Sequence, residues 1–393
     1  MSSTSATDRA HAAVWSAPGT LDMTDLEVPD APPGGLLLEV IANGICGTDL
    51  HLLNSTPARP TVPGHEIVGR ICEFGVDAPR VDAGGAPLSH GDRVALFPWV
   101  PCRRCWQCER FGPAAAVCSE AFVYGIPPEF TGVAAAGQGP AGASALTGGF
   151  GSHLAVREGT YLWRVPDQTP TARASLLDPL AVAVRAVAMA RTPVGTWDEV
   201  LRADAIALVQ GAGPVGLLVT AVLRAHGIGK VIVTGSRPAR LAAARRMGAE
   251  TVVDVRSTTI EERHTAVMAA TSGRGCDLVI DCTNDPAALV EGIRSVRRMG
   301  TVIEVGNMVN TGTEVLLDPA SDICLKNIRL LGMSVNPPQS YAEAMALLSR
   351  ADIAWDSLIT AQMPLSDPKA ALRKLAEPDS IKVVLVSSDG TSS

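Results

Sequence analysis

Three cysteines, Cys102, Cys105 and Cys108, are spaced C-x2-C-x2-C, and Cys118 follows after nine further residues. Four thiolates gathered this closely satisfy a tetrahedral zinc ion and leave no open position, which is the composition of a structural site that contributes folding energy and no chemistry. An iron–sulfur cluster also takes four cysteines, and buried unliganded thiols are the plain alternative. The neighbours Arg103, Arg104, Trp106 and Gln107 mark an exposed lobe, which argues against four free reactive thiols.

A second pattern, Gly211-Ala212-Gly213-Pro214-Val215-Gly216, follows the apolar run 206–210 and precedes the apolar run 217–223. GxGxxG between a strand and a helix is a dinucleotide fingerprint. Gly211 permits the tight turn, Gly213 lets the backbone approach a pyrophosphate, Gly216 allows close helix packing, and the helix start stabilises the negative charge. The next strand ends Gly235-Ser236-Arg237-Pro238, without the carboxylate that usually accepts the ribose hydroxyls of NAD. Gly235 removes a side chain that would oppose a 2′-phosphate, Ser236 offers a hydroxyl and Arg237 a permanently charged donor fork. Arg240, one helical turn on, adds charge. This suits NADP; the bland alternative is a strand-to-helix turn carrying a solvated arginine.

The elements that must position these residues fall into two textures. Up to about residue 180 the chain is rich in Gly and Pro with short apolar runs such as 36–41 and 93–97, a mostly β region. Within it, 131–149 is almost wholly Gly, Ala, Ser and Thr and reads as a surface loop. From about 175 to 333, strands expected near 206–210, 231–234, 251–255, 277–281 and 301–305 alternate with helical segments, as in a parallel sheet covered on both faces. Pro238 at a helix start and Gly248 after the helix 239–247 are fitting punctuation. The last 60 or so residues hold helix patterns at 341–350 and 368–376 and a strand at 381–386.

Composition narrows the classes. Of 393 residues, 47% are apolar and 19% charged, which excludes general disorder and fibrous repeats. A net charge of −7, from 33 basic against 40 acidic residues, gives no footprint for nucleic acid or an anionic membrane. The most apolar stretch, 205–222, is broken by Gln210, Gly211, Gly213 and Pro214 and is no membrane span. Residues 1–11 lack the apolar core of a secretory signal, so a cytoplasmic, reducing location is expected, where thiolates bind metal rather than pair.

Cys46, His65 and Asp178 are scattered, and spacing alone would not assemble them. Singly they read as a small core residue, a satisfied loop histidine and a helix cap before Pro179. However, Gly44-Ile45-Cys46-Gly47-Thr48-Asp49-Leu50-His51, Pro63-Gly64-His65-Glu66, Gly91-Asp92-Arg93-Val94, the four-cysteine lobe, Gly148-Gly149-Phe150, Asp178-Pro179-Leu180-Ala181-Val182-Ala183 and Gly211 to Gly216 occur in this order. Over nearly the whole chain they resemble the zinc-dependent alcohol dehydrogenases of the medium-chain dehydrogenase/reductase superfamily.

The resemblance implies an α/β protein with two domains. A GroES-like β-rich catalytic domain would comprise residues 1–180 and 336–393, and a Rossmann doubly wound parallel-sheet cofactor domain residues 181–335. It implies two zinc ions per chain: a structural one on the four lobe cysteines and a catalytic one on Cys46, His65 and Asp178, with an open position for water or substrate oxygen. Thr48 and His51 resemble the proton relay, Asp49 the carboxylate orienting His65, Glu66 the acid behind the metal, and Lys382 a basic residue contacting cofactor phosphates. Leu53, Asn54, Pro98, Trp99, Phe122, Tyr124 and Met308 are pocket candidates by analogy. The expected partners are a small alcohol, aldehyde or ketone and further copies of the chain in a homodimer or homotetramer.

Three departures stand out. Asp178 occupies a position usually held by Cys or Glu, Arg103 replaces the usual Gly, and the gap before Cys118 is two residues longer than common. The shorter reach of Asp178 would let Glu66 or water complete the shell. Gly235-Ser236-Arg237-Pro238 is similar to NADP-dependent bacterial secondary alcohol dehydrogenases; an NAD-dependent polyol or amino-alcohol dehydrogenase is the alternative. Zinc-free enoyl or quinone reductases lack both cysteine sets, and a non-catalytic sensor or structural protein would not need Thr48, His51 and three ligands together.

Overall fold

In the computed structural model, which describes residues 9–112, 117–130, 146–192, 201–309 and 312–388, all five residues of the strand Ile206–Gln210 are buried. A strand apolar on both faces belongs inside a helix-covered parallel sheet. Its sheet runs in the order Thr251–Asp254, Lys230–Gly235, Ile206–Gln210, Cys276–Asp281, Val296–Glu304, Arg329–Gly332. Every neighbouring pair is parallel. The chain therefore leaves Ile206–Gln210 toward one edge and later returns to its other side, and the crevice beyond this reversal is where such sheets bind ligands. The first five strands are those expected. The sixth, Arg329–Gly332, was not, because a four-residue edge strand only half buried carries little periodicity.

Among the described residues a second large sheet has seven strands, beside two separate two-stranded pairs. Its path runs Ile359–Pro364, Lys382–Val386, Leu36–Gly44, Glu66–Phe74, Arg93–Leu96, Leu162–Arg164, and His153–Val156 also pairs with Leu36–Gly44. Lys382–Val386 runs antiparallel to Leu36–Gly44, so a strand near the end of the sequence lies beside one near its start. Trp15, Leu36, Leu38, Tyr124 and Phe150 fill the core beneath.

Contacts divide the chain into two units. One comprises the chain up to Asp178, Pro337–Ser349 and the chain from Ile359 on; the other comprises Pro179–Asn336 and Arg350–Leu358. The segment Arg350–Leu358, expected with the whole tail in the β-rich domain, is instead grouped with the parallel-sheet unit, and its Trp355 and Leu358 are buried. The loop expected at 131–149 lies outside the described residues except for its last four. Among the described residues no helix is long and apolar enough to cross a membrane.

Candidate active site and metal centres

The pairing of two strands assembles what spacing could not. Gly44 is in register with Glu66 across the antiparallel pair Leu36–Gly44 and Glu66–Phe74, so the residues just past one strand end meet those at the start of the other. Cys46, His65 and Glu66 consequently present donor atoms within 4.8 Å of one another. Cys46 sits at the start of the helix Gly47–Leu53, and its amide donates to Asp49 Oδ2 at 2.8 Å. The other Asp49 oxygen lies 3.5 Å from His65 Nδ1, and both atoms are buried without a hydrogen bond. That arrangement turns Nδ1 toward Asp49 and leaves Nε2 as the nitrogen available to a metal. Burial disfavours the charged imidazole, but the adjacent Asp49 carboxylate outweighs it and holds the His65 pKa well above its usual value. The donor set fits a metal: a thiolate, an oriented imidazole and carboxylates are the ligand types of catalytic zinc.

Asp178, expected as the third ligand, lies outside that cluster. Burial raises its pKa, and the charges of His65 and Lys382 bear on it from nearby. Its Oδ1 accepts the hydroxyl of Tyr341. Thus the structure pairs Cys46 and His65 with Glu66 and hands Asp178 to a tyrosine whose role the sequence did not reveal. Glu66 is itself held: Lys382 Nζ donates to Glu66 Oε1 at 2.6 Å and lies against Oε2, and it also donates to the carbonyl of Ile45 at 3.0 Å. Burial raises the Glu66 pKa, opposed chiefly by Lys382.

Lys382, expected at the cofactor phosphates, is only 1% exposed and committed to these oxygens. A lysine flanked by Ile381 and Val383 in an otherwise apolar strand signals a buried acidic partner, a cue available in the sequence.

Thr48 and His51 share one face of the helix Gly47–Leu53, three residues apart. Thr48 is half-buried, with its Oγ1 3.5 Å from Cys46 Sγ, and His51 is exposed. The pair thus leads from the thiol outward.

The lobe cysteines Cys102, Cys105, Cys108 and Cys118 form the second group, again within 4.8 Å of one another and none in a disulfide. The amide of Cys102 points to Cys118 Sγ and that of Cys105 to Cys102 Sγ, both at 3.3 Å. Such donors favour thiolates. Burial opposes ionisation, yet at Cys105 the amides of Cys108 and Ser119 overcome it and hold the thiol down to about 6, whereas burial pushes Cys118 up to about 12. Four mutually close sulfurs wrapped by amides fit a tetrahedral ion. Arg103 does the work of the usual glycine by adopting φ 64°. The left-handed backbone costs about 1–2 kcal/mol. The side chain offsets part of this by donating to the Gly159 carbonyl at 3.2 Å and lying 5.9 Å over the Tyr161 ring.

In the parallel-sheet unit, Gly211 (φ +93°) turns the chain into the helix Pro214–Ala225, which begins at Gly213 with Pro214 in its first turn. A Cβ on Gly216 would lie 1.9 Å from the Gly211 carbonyl, so no other residue lets the helix start this close to the turn. Val215 lies in the first turn, and Gly213 faces open space, as a pyrophosphate cradle requires. Gly235 ends its strand, and Arg237 directly precedes the helix Pro238–Arg246. Burial and then the charge of Arg237 lower the pKa of Arg240 to about 10. Ser236, just before them, is half-buried. Gly235 has a packing reason too: a Cβ there would come within 2.7 Å of Ala212 Cβ.

The pocket candidates scatter. Tyr124 is fully buried, its hydroxyl bonded to Thr160 at 2.9 Å and to the Arg157 amide at 2.8 Å, and Leu53 is core. Phe122 packs edge-on against Tyr124, Trp99 packs against the lobe cysteines, and the Pro98 carbonyl accepts the Tyr124 amide. Asn54 and Met308 are exposed.

Comparison with known proteins decides the family. Residues 32–167 match the alcohol dehydrogenase GroES-like domain and 214–350 the zinc-binding dehydrogenase domain. The sorbitol dehydrogenase of Bacillus subtilis is 30% identical over 303 residues, 75% of this chain and 74% of that protein. The chain belongs to the zinc-dependent alcohol dehydrogenase family. This family lies within the medium-chain dehydrogenase/reductase superfamily. A 5-exo-hydroxycamphor dehydrogenase of Pseudomonas putida is 28% identical over 382 residues, 96% of this chain and 98% of its own. The crystal structure of an alcohol dehydrogenase from Thermotoga maritima superposes with a TM-score of 0.84 at 28% identity, covering 96% of this chain and 99% of that one. As a member of this dehydrogenase family, the protein is an oxidoreductase acting on alcohols, with the GroES-like and Rossmann architecture.

Proposed function

We propose that this dehydrogenase interconverts an alcohol and a carbonyl compound with NADP(H), using two zinc ions per chain. The observation that carries the reading is the convergence of Cys46 and His65 with Glu66, with Thr48 beside the thiol and Asp178 under the charge of His65. Zinc held by Cys46, His65 and Asp178 would supply Lewis acidity toward the substrate oxygen, while bound nicotinamide would supply or accept the hydride. Asp49 holds the imidazole of His65 in its ligating orientation. The Thr48 hydroxyl accepts the proton of the alcohol, and His51, one turn on and exposed, passes it to solvent. Cys102, Cys105, Cys108 and Cys118 hold the structural ion.

The NADP preference rests on Arg237 and Arg240, whose charges bear on one another, with Ser236 just before them, a cationic site suited to a 2′-phosphate. Reduction would then be the working direction. A specific observation favours a second reading, an NAD-dependent polyol dehydrogenase: the packing of Gly235 against Ala212 explains that glycine without any phosphate. Steady-state rates with both cofactors separate the two, since a clear kcat/KM preference for NADH would defeat the first. Relatives are named for 5-exo-hydroxycamphor and for carbon 3 of L-threonine, both secondary hydroxyls, so the substrate screen begins with secondary alcohols, polyols and ketones.

A further inference from the structure

Two buried carboxylates, Glu66 within the cluster of Cys46 and His65 and Asp178 outside it but under the charge of His65, are treated differently. Glu66 is neutralised by Lys382, a buried ammonium at 2.6 Å. Asp178 instead receives a neutral phenol. The distinction matters for the metal. The Cys46 thiolate and one unneutralised carboxylate together balance a divalent ion, whereas a carboxylate already paired with lysine has its charge spent. A phenol hydroxyl orients an acid without cancelling it. An ionised carboxylate is acceptor only, so Tyr341 must be the donor, and the bond occupies Oδ1 and leaves Oδ2 free of it.

Tyr341 is well built for such a task. It is fully buried, its ring stacked on Trp163 at 4.7 Å and 19° and set edge-on to Phe97 at 5.4 Å and 79°. Trp163 lies in the strand Leu162–Arg164, and Phe97 directly follows its neighbour Arg93–Leu96, so the ring is clamped by the sheet that carries Glu66. The last torsion of an aspartate is a broad rotor that packing alone fixes poorly. A clamped hydroxyl fixes it. The segment Pro337–Ser349 therefore delivers to the site a group 163 residues distant from Asp178.

We propose that Tyr341 is a positioning residue that holds Asp178 Oδ1 and thereby presents Oδ2 as the third donor to the catalytic metal. This rests on the reading of Asp178 as a ligand, and the experiment separates the two. Zinc content of the full-length holoprotein is measured after dialysis against graded chelator for wild type, Tyr341→Phe, Asp178→Asn, the double variant and Tyr124→Phe. Tyr341→Phe keeps the stacked ring and removes only the hydroxyl.

Loss of a group that orients a ligand weakens metal affinity by about 10- to 100-fold. Tyr341→Phe should accordingly release one zinc per chain at correspondingly lower chelator strength while retaining the other. Asp178→Asn should lose that same zinc, the double variant should be no worse than Asp178→Asn, and Tyr124→Phe, which removes another buried hydroxyl, should match wild type. If Asp178→Asn loses zinc but Tyr341→Phe holds it as tightly as wild type, the positioning role is refuted and the ligand role stands. If Asp178→Asn retains both ions, the ligand reading falls and the positioning role with it. If Tyr341→Phe costs as much zinc in the Asp178→Asn background as in wild type, the tyrosine acts through general stability and the proposal is overturned.

Discussion

Replacement of Lys382 by methionine probes the buried ion pair directly. The side chains of Lys382 and Glu66 are 2% and 1% exposed, so no water can take the place of the missing ammonium. Methionine fills most of the lysine volume, which leaves electrostatics as the main change. Removing one partner of a buried pair costs about 3–5 kcal/mol because the survivor remains desolvated. At roughly 2–4 °C per kcal/mol for a body of this size, the calorimetric transition of the β-rich unit should fall by roughly 6–20 °C.

Glu66 can escape part of this cost by binding a proton. Its folded pKa is raised already and would rise further, so the native state binds more protons than the unfolded one and the deficit grows with pH. Lys382→Met combined with Glu66→Gln removes the stranded charge and should recover most of the loss. A Lys382→Met protein that melts within about 1 kcal/mol of wild type at pH 8, or a double variant no better than the single, would refute the buried-pair account. An effect confined to the KM for NADPH would restore the phosphate-contact role inferred from sequence.

Arg237→Ala should lower kcat/KM for NADPH by about 10- to 100-fold while leaving NADH nearly unaffected, the worth of one charge-assisted hydrogen bond, as steady-state kinetics with both cofactors would show. Thr48→Val should reduce kcat by about 10²-fold or more with zinc content unchanged, measured by turnover and metal analysis on the same sample. Burial, and then the neighbouring Glu304, push the Asp281 pKa up to about 7, well above the usual carboxylate value. Between these values the folded chain holds a proton that the unfolded chain has released, so stability falls as pH rises through this window. Asp281→Asn should flatten that slope, and urea unfolding at pH 5 and pH 8 should show the variant gaining on wild type at the higher pH.

The four-cysteine lobe was legible in the sequence because its ligands are close neighbours along the chain. The glycine loop was legible because strand, turn and helix follow one another directly. Cys46 and His65 were not legible from spacing, since the register of Gly44 with Glu66 is a property of strand pairing; only the resemblance drew them together. Tyr341 escaped notice for the same reason in stronger form. Its helix pattern marks an aromatic core residue, and nothing local to it points toward Asp178. Lys382 was assigned to the cofactor phosphates by resemblance without regard to burial, although Ile381 and Val383–Val386 around it are uniformly apolar. Arg103 shows the converse: a residue that contradicts a backbone preference can still take the glycine conformation when its side chain finds partners.

The placement of Lys382–Val386 beside Leu36–Gly44 also bears on the order in which the protein matures. A chain emerging from the ribosome exposes Cys46, His65 and Glu66 early, yet the ammonium that neutralises Glu66 arrives 316 residues later. The parallel-sheet unit, built from Pro179–Asn336 and Arg350–Leu358, is fully synthesised before that strand and can fold first. During that interval the thiol and imidazole of the nascent β unit are unprotected, and the lobe cysteines, whose spacing is local, can capture metal before the active site exists. Biogenesis of this dehydrogenase would then begin with the ion that does no chemistry, and competence would come only with the last strand.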